Sequence, residues 1–497
     1  MKAFAAEYLE YLERANNWLF HRFLEYFREN FGRVKISFLF NAYQPRANRN
    51  YYETREKAES PSDPFFKEYI DVINEYRAER KETDNLVKVA VTDSYVPLLA
   101  AAHFFPHSLS IAFPQVTLDL ARNFYPNVYK TIVEQHNNGD FDLGISAYHH
   151  SFAPMLNERE LEQEYSAAFK KFKEIDGRKN DFITLHIPEC GVSPTLLDVL
   201  GKIQNDEGIR FATVLDSTYH NVHSFNSYNF GSFDIGRPNE LIYLSNGNVH
   251  RLRILFSNND FSRRKFSFPP IPSTKSDVKS IGFWYLTELI ESIAKPQPYP
   301  YWDMLRKGKN ILFVVHTDAE TIGFHSPGRE YSFFLFLNLL KEFDFKLTTI
   351  AECAKSTPYM TDNKTSLLYK TWDMETYGLT DRWMKSGEGS TTHLLFTASE
   401  VYPYLIAELK SNERMMNATQ RRRLLAASER FGNALASCPH WWSNPDSIPG
   451  KQFVNDIQEC GTHLKKLEQF VPQQKIHLLD ALEKLKKHPL IKNTLKR

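Results

Sequence analysis

Two carboxylates stand just past the ends of short apolar runs. Glu189 follows Phe182-Ile183-Thr184-Leu185-His186-Ile187-Pro188, and Asp318 follows Ile311-Leu312-Phe313-Val314-Val315-His316-Thr317. In a barrel, the C-terminal ends of the strands share one mouth, so acids distant in sequence can converge there. Two acids facing each other across a cleft are the equipment for breaking a glycosidic bond. Other runs end similarly. Asn41-Ala42-Tyr43-Gln44-Pro45 follows one, Tyr148-His149-His150 another, Asp216 a third, and the run before Asp318 leads on to Glu320, Gly323 and His325. Each cluster alone has an ordinary explanation. A strand-end Asp caps the next helix, a buried His satisfies a hydrogen bond, and a Glu after Pro is a first-turn charge. Their recurrence at the same end of successive runs is what points to a site.

The elements that must position these residues alternate. Apolar runs suited to strands lie at 35–40, 86–92, 141–146, 182–187, 211–215, 241–245 with 249–256, 311–315 and 346–350. Helical periodicity fills 158–175, 195–205 and 330–343, and an amphipathic helix opens the chain from Phe4 to Phe27. Strand alternating with helix predicts a parallel sheet. The polar clusters after successive strands favour a barrel, and the lack of a Gly-rich phosphate fingerprint after the first strand argues against a dinucleotide-binding sheet. Beyond residue 355 only helical periodicity remains, at 394–410, 418–438, 453–470 and 474–485. The expected fold is α/β: an incomplete (β/α)7-type barrel over residues 1–355, with its N-terminal helix, followed by an α-helical domain over 356–497.

Composition narrows the function classes. Lys+Arg 61 against Asp+Glu 60 leaves a formal charge of +1, so no global field draws the chain to nucleic acid or an acidic membrane. The basic clusters at 263–265, 421–423 and from 484 to the end read as solvated faces. Cys190, Cys353, Cys438 and Cys460 lie too far apart for a disulfide framework or a C-x-x-C zinc pair, which suits a reducing compartment. Charges run through the first 20 residues, and no apolar stretch reaches membrane-spanning length, so a cytoplasmic protein without membrane partners is expected. His149, His150, His220, His223, Asp142 and His325 offer a competing use as zinc ligands. The pair His220/His223 has no carboxylate third ligand nearby, so neither metal nor cofactor is expected.

Taken together, the motifs resemble glycoside hydrolase family 57, whose members act on α-linked glucans and some α-galactosides. The family's His-Gln-Pro is Tyr43-Gln44-Pro45 here, and its Gly-x-x-Glu followed by Tyr-x-His is Gly139-x-x-Asp142 followed by Tyr148-His149-His150. Its Trp-x-Pro-Glu is His186-Ile187-Pro188-Glu189, and its Asp-x-Glu-x-x-Gly is matched unchanged by Asp318-Ala319-Glu320-Thr321-Ile322-Gly323. Cys438-Pro439-His440-Trp441-Trp442 is similar to the family's Trp-rich helical segment. The resemblance implies a retaining enzyme acting on an oligo- or polysaccharide, α-glucan first, with Glu189 as nucleophile and Asp318 as acid/base. It also implies that Gln44, Tyr148 and His150 bond sugar hydroxyls. Tyr43, Asp142 and His186 would shape the subsite, Asp216 and Glu320 would hold neighbours in place, and Trp441, Trp442, Phe324 and Tyr331 would offer stacking faces. Three departures (Tyr43 for His, Asp142 for Glu, His186 for Trp) favour an alternative, a carbohydrate-binding or regulatory protein on the same fold with little turnover. The intact Glu189 and Asp318 favour the enzyme.

Overall fold

A computed structural model describes residues 3–14, 29–43, 63–77, 91–178, 180–216, 235–245, 248–267, 278–294, 301–361, 390–436 and 448–494, with positions 24, 61 and 446. Its strands are β1 (Val34–Asn41), β2 (Leu109–Phe113), β3 (Asp142–Ile145), β4 (Phe182–Leu185), β5 (Arg210–Asp216), β6 (Asn239–Ser245), β7 (Asn248–Ser257), β8 (Ile311–Asp318), β9 (Lys346–Leu347) and β10 (Tyr359–Thr361). Seven of them run parallel in the order β8-β1-β2-β3-β4-β5-β7. The ring closes at one bridge, Ser257 to Val314, beside an Asn258 N–H donated to the Val314 carbonyl at 2.9 Å. β6 lies antiparallel on the outside of β7, β10 extends β6, and β9 pairs with the start of β1. The expected incomplete seven-stranded barrel is therefore present, with single-pair seams between β7 and β8 and between β3 and β4.

Strand alternation sends every second side chain inward. Leu39, Ala112, Phe182, Ala212, Val214, Leu255, Leu312 and Val314 form a dry inner core, closed by Ile350, Ala351, Cys353 and Ala354 of the short helix Ile350–Ala354. That helix plugs the end where the strands begin. The outward side chains explain the aromatic content. Phe38 and Phe40 of β1 pack edge-on against Phe333, and Phe266 and Phe336 stand within 6.4 Å of the same cluster. The N-terminal helix Ala3–Arg14 joins this layer through Tyr8, which meets Phe283 and Phe343. Helix Glu158–Ile175 starts where its periodicity does, fixed by a capping box between Asn157 and Glu160.

Three elements differ from expectation. β2 replaces the strand expected at 86–92: of that stretch only Val91 and Thr92 are described, in the helical turn Val91–Tyr95 that runs into helix Val96–Phe104. Pro97 sits in that helix's first turn, where its missing N–H costs nothing. Lys346–Ile350 yields two strand residues before Thr349 caps the plugging helix. β10 falls beyond residue 355, since its pairing with β6 supplies what its three residues lack alone. From 391 onward come helices Thr391–Ser399, Tyr402–Ser411, Ala418–Ala434, Ile448–Lys465, Ile476–Leu485 and Pro489–Thr494. An antiparallel bridge from Ser151 to Ala436, the Arg159 guanidinium over the Tyr404 ring, and Gly432 against the His149 ring tie them to the barrel.

Candidate active site

Asn41 and Asp318 end adjacent strands and are register partners, on the same inward parity as Leu39 and Val314. Asn41 Nδ2 donates to Asp318 Oδ1 at 3.3 Å and lies 3.0 Å from His150 Nε2. Water reaches Asp318 from the mouth, yet protein walls it closely. That desolvation raises its pKa above the ordinary carboxylate value, outweighing the Asn41 hydrogen bond and the positive Arg263, which both lower it. Behind it lies buried Glu320, which accepts a 2.5 Å hydrogen bond from the Tyr95 hydroxyl. Burial, and then the charge of Asp318, push Glu320 well above the usual range. Gly323 (φ 92°) makes this corner possible, because a Cβ there would sit 1.9 Å from the Asp93 carbonyl oxygen. The turn carrying Tyr95 can approach Glu320 only past a residue with no side chain.

The facing wall comes from β3 and β4. His150 adopts a left-handed backbone (φ 58°), and its ring stacks on Tyr43 at 4.2 Å and 11°. His186 lies 5.6 Å from His150 on nearly parallel planes and 5.1 Å from His316. Burial keeps these imidazoles neutral, lowering His150 to about 3, His316 to about 4 and His186 well below its ordinary value. Both ring nitrogens of His186 are buried without a hydrogen-bond partner among the described residues. Glu189 (φ 55°) and Cys190 (φ 53°) are consecutive left-handed residues in the turn Pro188–Cys190, and Glu189 is half-buried. Strained backbone of this kind persists where the surroundings over-determine it, and it clusters at functional sites. Cys190 Sγ lies 3.9 Å from His316 Nδ1. Because β4 and β8 are far apart in the strand order, this contact crosses the barrel interior. Burial and then Asp216 raise the Cys190 thiol, with Glu189 and Arg263 also acting on it. Glu189, Asp216, Arg263 and Asp318 thus share one electrostatic neighbourhood.

Other candidates lie elsewhere. Asp142 opens β3 rather than ending it, in register with Ser110 and two residues below the level of Asp318. It accepts from Ser110 Oγ at 3.1 Å, from Thr184 Oγ1, and from Arg178 Nη2 at 3.4 Å, near the plugging helix and away from the mouth. The pattern Gly-x-x-Asp does not say which end of a strand it occupies, and here it is the beginning. Tyr148 points away from the mouth, its hydroxyl donating to Asp119 at 2.7 Å, and His149 pairs with Glu164. Phe324 and Tyr331 are buried in the outer core, the place expected for at least half of the four aromatics. Gln44, Trp441, Trp442, His220 and His223 lie outside the described residues. Four residues had no role from the sequence: Asn41, His316, Tyr95 and Arg263. Arg263 was expected on a solvated face, but it follows the C-terminal end of β7 and acts on Asp318. Its place after a strand was the available signal. Among the described residues, no group of three or more His, Cys, Asp or Glu is arranged to hold a metal ion.

Residues 11–364 match the sequence profile of glycosyl hydrolase family 57. The chain belongs to glycosyl hydrolase family 57. Solved structures of the family share its fold at low identity. The branching enzyme of Thermococcus kodakaraensis, in complex with glucose, is 11% identical, with TM-score 0.59 over 93% of this chain and 95% of that one. An exo-type maltose-forming amylase from Pyrococcus sp. ST04 is 15% identical, with TM-score 0.57 over 90% and 82%. An α-amylase from Thermotoga maritima is 12% identical, with TM-score 0.56 over 92% and 97%. No curated protein matches the chain by sequence. As expected of a family 57 member, the chain is a glycoside hydrolase or glycan transferase by family. No helix among its described residues is long and apolar enough to cross a membrane.

Proposed function

We propose that this chain cleaves or transfers α-linked glycans, α-glucan first, by double displacement with retention of configuration. Glu189 attacks the anomeric carbon while Asp318 protonates the departing glycosidic oxygen. Asp318 then takes a proton from water or an acceptor sugar, which displaces Glu189 from the glycosyl-enzyme. The observation that carries this reading is the contact of Cys190 Sγ with His316 Nδ1 across the barrel. It joins the neighbour of one acid to the strand that ends in the other, as two carboxyls on facing walls require. The raised pKa of Asp318 suits a group that starts each cycle protonated. Neutral His150 and Asn41 can bond sugar hydroxyls without adding charge. The amylases and the branching enzyme that share the fold make α-glucan the first substrate to try.

The test is product analysis with maltooligosaccharides, glycogen and aryl α-galactosides, followed by the stereochemistry of the released sugar. Retention requires carboxyls about 5–5.5 Å apart in the sugar-bound enzyme. Inverted product, or activity that survives in Glu189→Gln, would remove the double-displacement reading. Binding of these glycans without turnover would leave the carbohydrate-binding alternative, which the Tyr43, Asp142 and His186 departures favour.

A further inference from the structure

His150 is the one mouth residue of its loop, flanked by two residues that face away from the mouth. His149 donates its backbone N–H to Glu164 Oε2 at 2.9 Å and places its Nδ1 2.7 Å from Glu164 Oε1. Ser151 Oγ donates to the same Glu164 Oε2 at 2.9 Å. The Tyr148 N–H bonds the Glu164 carbonyl at 3.3 Å. One buried side chain on helix Glu158–Ile175 therefore grips the chain on both sides of His150, whose left-handed backbone is costly for a residue other than glycine.

The helical region presses on the same clamp. A Cβ at Gly432 would lie 2.2 Å from His149 Cε1 and 2.4 Å from Nε2, so only glycine lets helix Ala418–Ala434 close over that ring. The Ser151–Ala436 bridge holds the other side. Nothing in the proposed chemistry uses Glu164, which does not face the mouth.

We propose that Glu164 is a positioning residue: by holding His149 and Ser151 it sets His150 against Asn41, and so aims Asn41 at Asp318. This rests on the reading of Asp318 as the acid. The groups that face Asp318 are Asn41 from β1, Tyr95 from the turn before helix Val96–Phe104, Arg263 from beyond β7, and Glu320 on its own segment. Asn41 is the one that contacts His150 of the clamped loop, at 3.0 Å. Glu164 faces His149, Ser151, Tyr148 and Tyr165, and Glu160 lies on the same helix.

The test compares Glu164→Gln, Glu164→Asp and Ser151→Ala with the wild-type chain. The amide of Gln offers one acceptor oxygen to three donors, so His150 should shift. kcat/KM on maltooligosaccharides should fall by about 10- to 100-fold, the scale of loss that a misplacement near one ångström produces. Losing the Asn41 bond should also move the alkaline limb of kcat/KM, set by Asp318 deprotonation, to higher pH. A fold-only role would lower Tm and the folded fraction without moving that limb. Glu164→Asp should recover part of the loss, and Ser151→Ala, which removes one donor, should shift the limb less and in the same direction. The proposal falls if folded Glu164→Gln keeps kcat/KM within about twofold and its limb in place. It falls also if Glu164→Gln is too unstable and Ser151→Ala leaves both unchanged. Should the wild-type chain turn over no glycan, the functional reading fails separately. Crystal structures of Ser151→Ala and Glu164→Gln still decide the clamp, by whether the His150–Asn41 contact is broken or kept.

Discussion

The two ends of the barrel each hold a carboxylate, and they treat it oppositely. At the closed end, Asp142 is met by Ser110, Thr184 and the Arg178 guanidinium, beside the plugging helix. At the open end, Asp318 has one 3.3 Å hydrogen bond from an amide and a positive charge that does not offset its desolvation. A buried acid that is fully partnered is part of the structure, because removing it strands its donors. An acid left under-partnered in a walled recess is held ready to change its protonation state. The difference separates two residues that their motifs make equal candidates.

The largest expected effect breaks the comparison at the open end. Glu189→Gln should lower kcat on the order of 10⁴-fold or more with little change in Tm, measured on any substrate the wild-type chain turns over. Asp318→Asn should lower turnover by about 10²–10⁴-fold on maltooligosaccharides and far less on activated aryl glycosides, whose leaving groups need no proton. Equal losses on both would show that Asp318 is not the acid.

At the closed end the effects should reverse. Asp142→Ala should destabilise by roughly 1–3 kcal/mol in a denaturant titration, leaving Arg178, Ser110 and Thr184 without their acceptor, while kcat of the folded fraction stays near wild type. A large kcat loss at unchanged stability would place Asp142 in the site after all.

Glu160 gives the smallest and most specific effect. It sits buried at the start of helix Glu158–Ile175, where Oε2 accepts from the Asn157 N–H at 3.0 Å and the carboxyl faces Ser399 of the helical region. Burial pushes its carboxyl up to about 7. The folded chain then keeps a proton that the unfolded chain has released, so stability falls as pH rises from the ordinary carboxylate value, 4.5, to about 7. Below that window both states are protonated and the penalty vanishes. Glu160→Gln should therefore raise Tm at pH 8 and leave it unchanged at pH 4.

The strand ends that carry Glu189, Asp216 and Asp318 were legible because continuous apolar, β-branched runs and the acids after them are local signals. β2 was not, since Leu109–Phe113 is only five residues long and Ser110 and Ala112 interrupt its apolar run. Residues 86–92 make a longer run, yet Val91 and Thr92 begin a helical turn that Pro97 helps extend into a helix. Asp142 was drawn to the subsite by its match to the Gly-x-x-Glu motif, although it sits at the start of the run 141–146. Arg263 lay in a charged run flanked by phenylalanines, and only the packing of Phe261 and Phe266 into the core turns it toward Asp318. Cross-barrel contacts such as Cys190–His316 have no sequence signature, because they depend on how the strand ring closes.

The single Ser257–Val314 bridge has a mechanical meaning for that ring. Most neighbouring strands are stitched by continuous ladders that fix their spacing, but, like β3 and β4 at Ile145 and Leu185, the arcs bearing Arg263 and Asp318 meet at one stitch. Their separation is governed by the packing of side chains and outer helices. The span between the cation and the acid can therefore adapt to the width of an incoming sugar, while Glu189 rides with β4, which is laddered to β5 over four pairs.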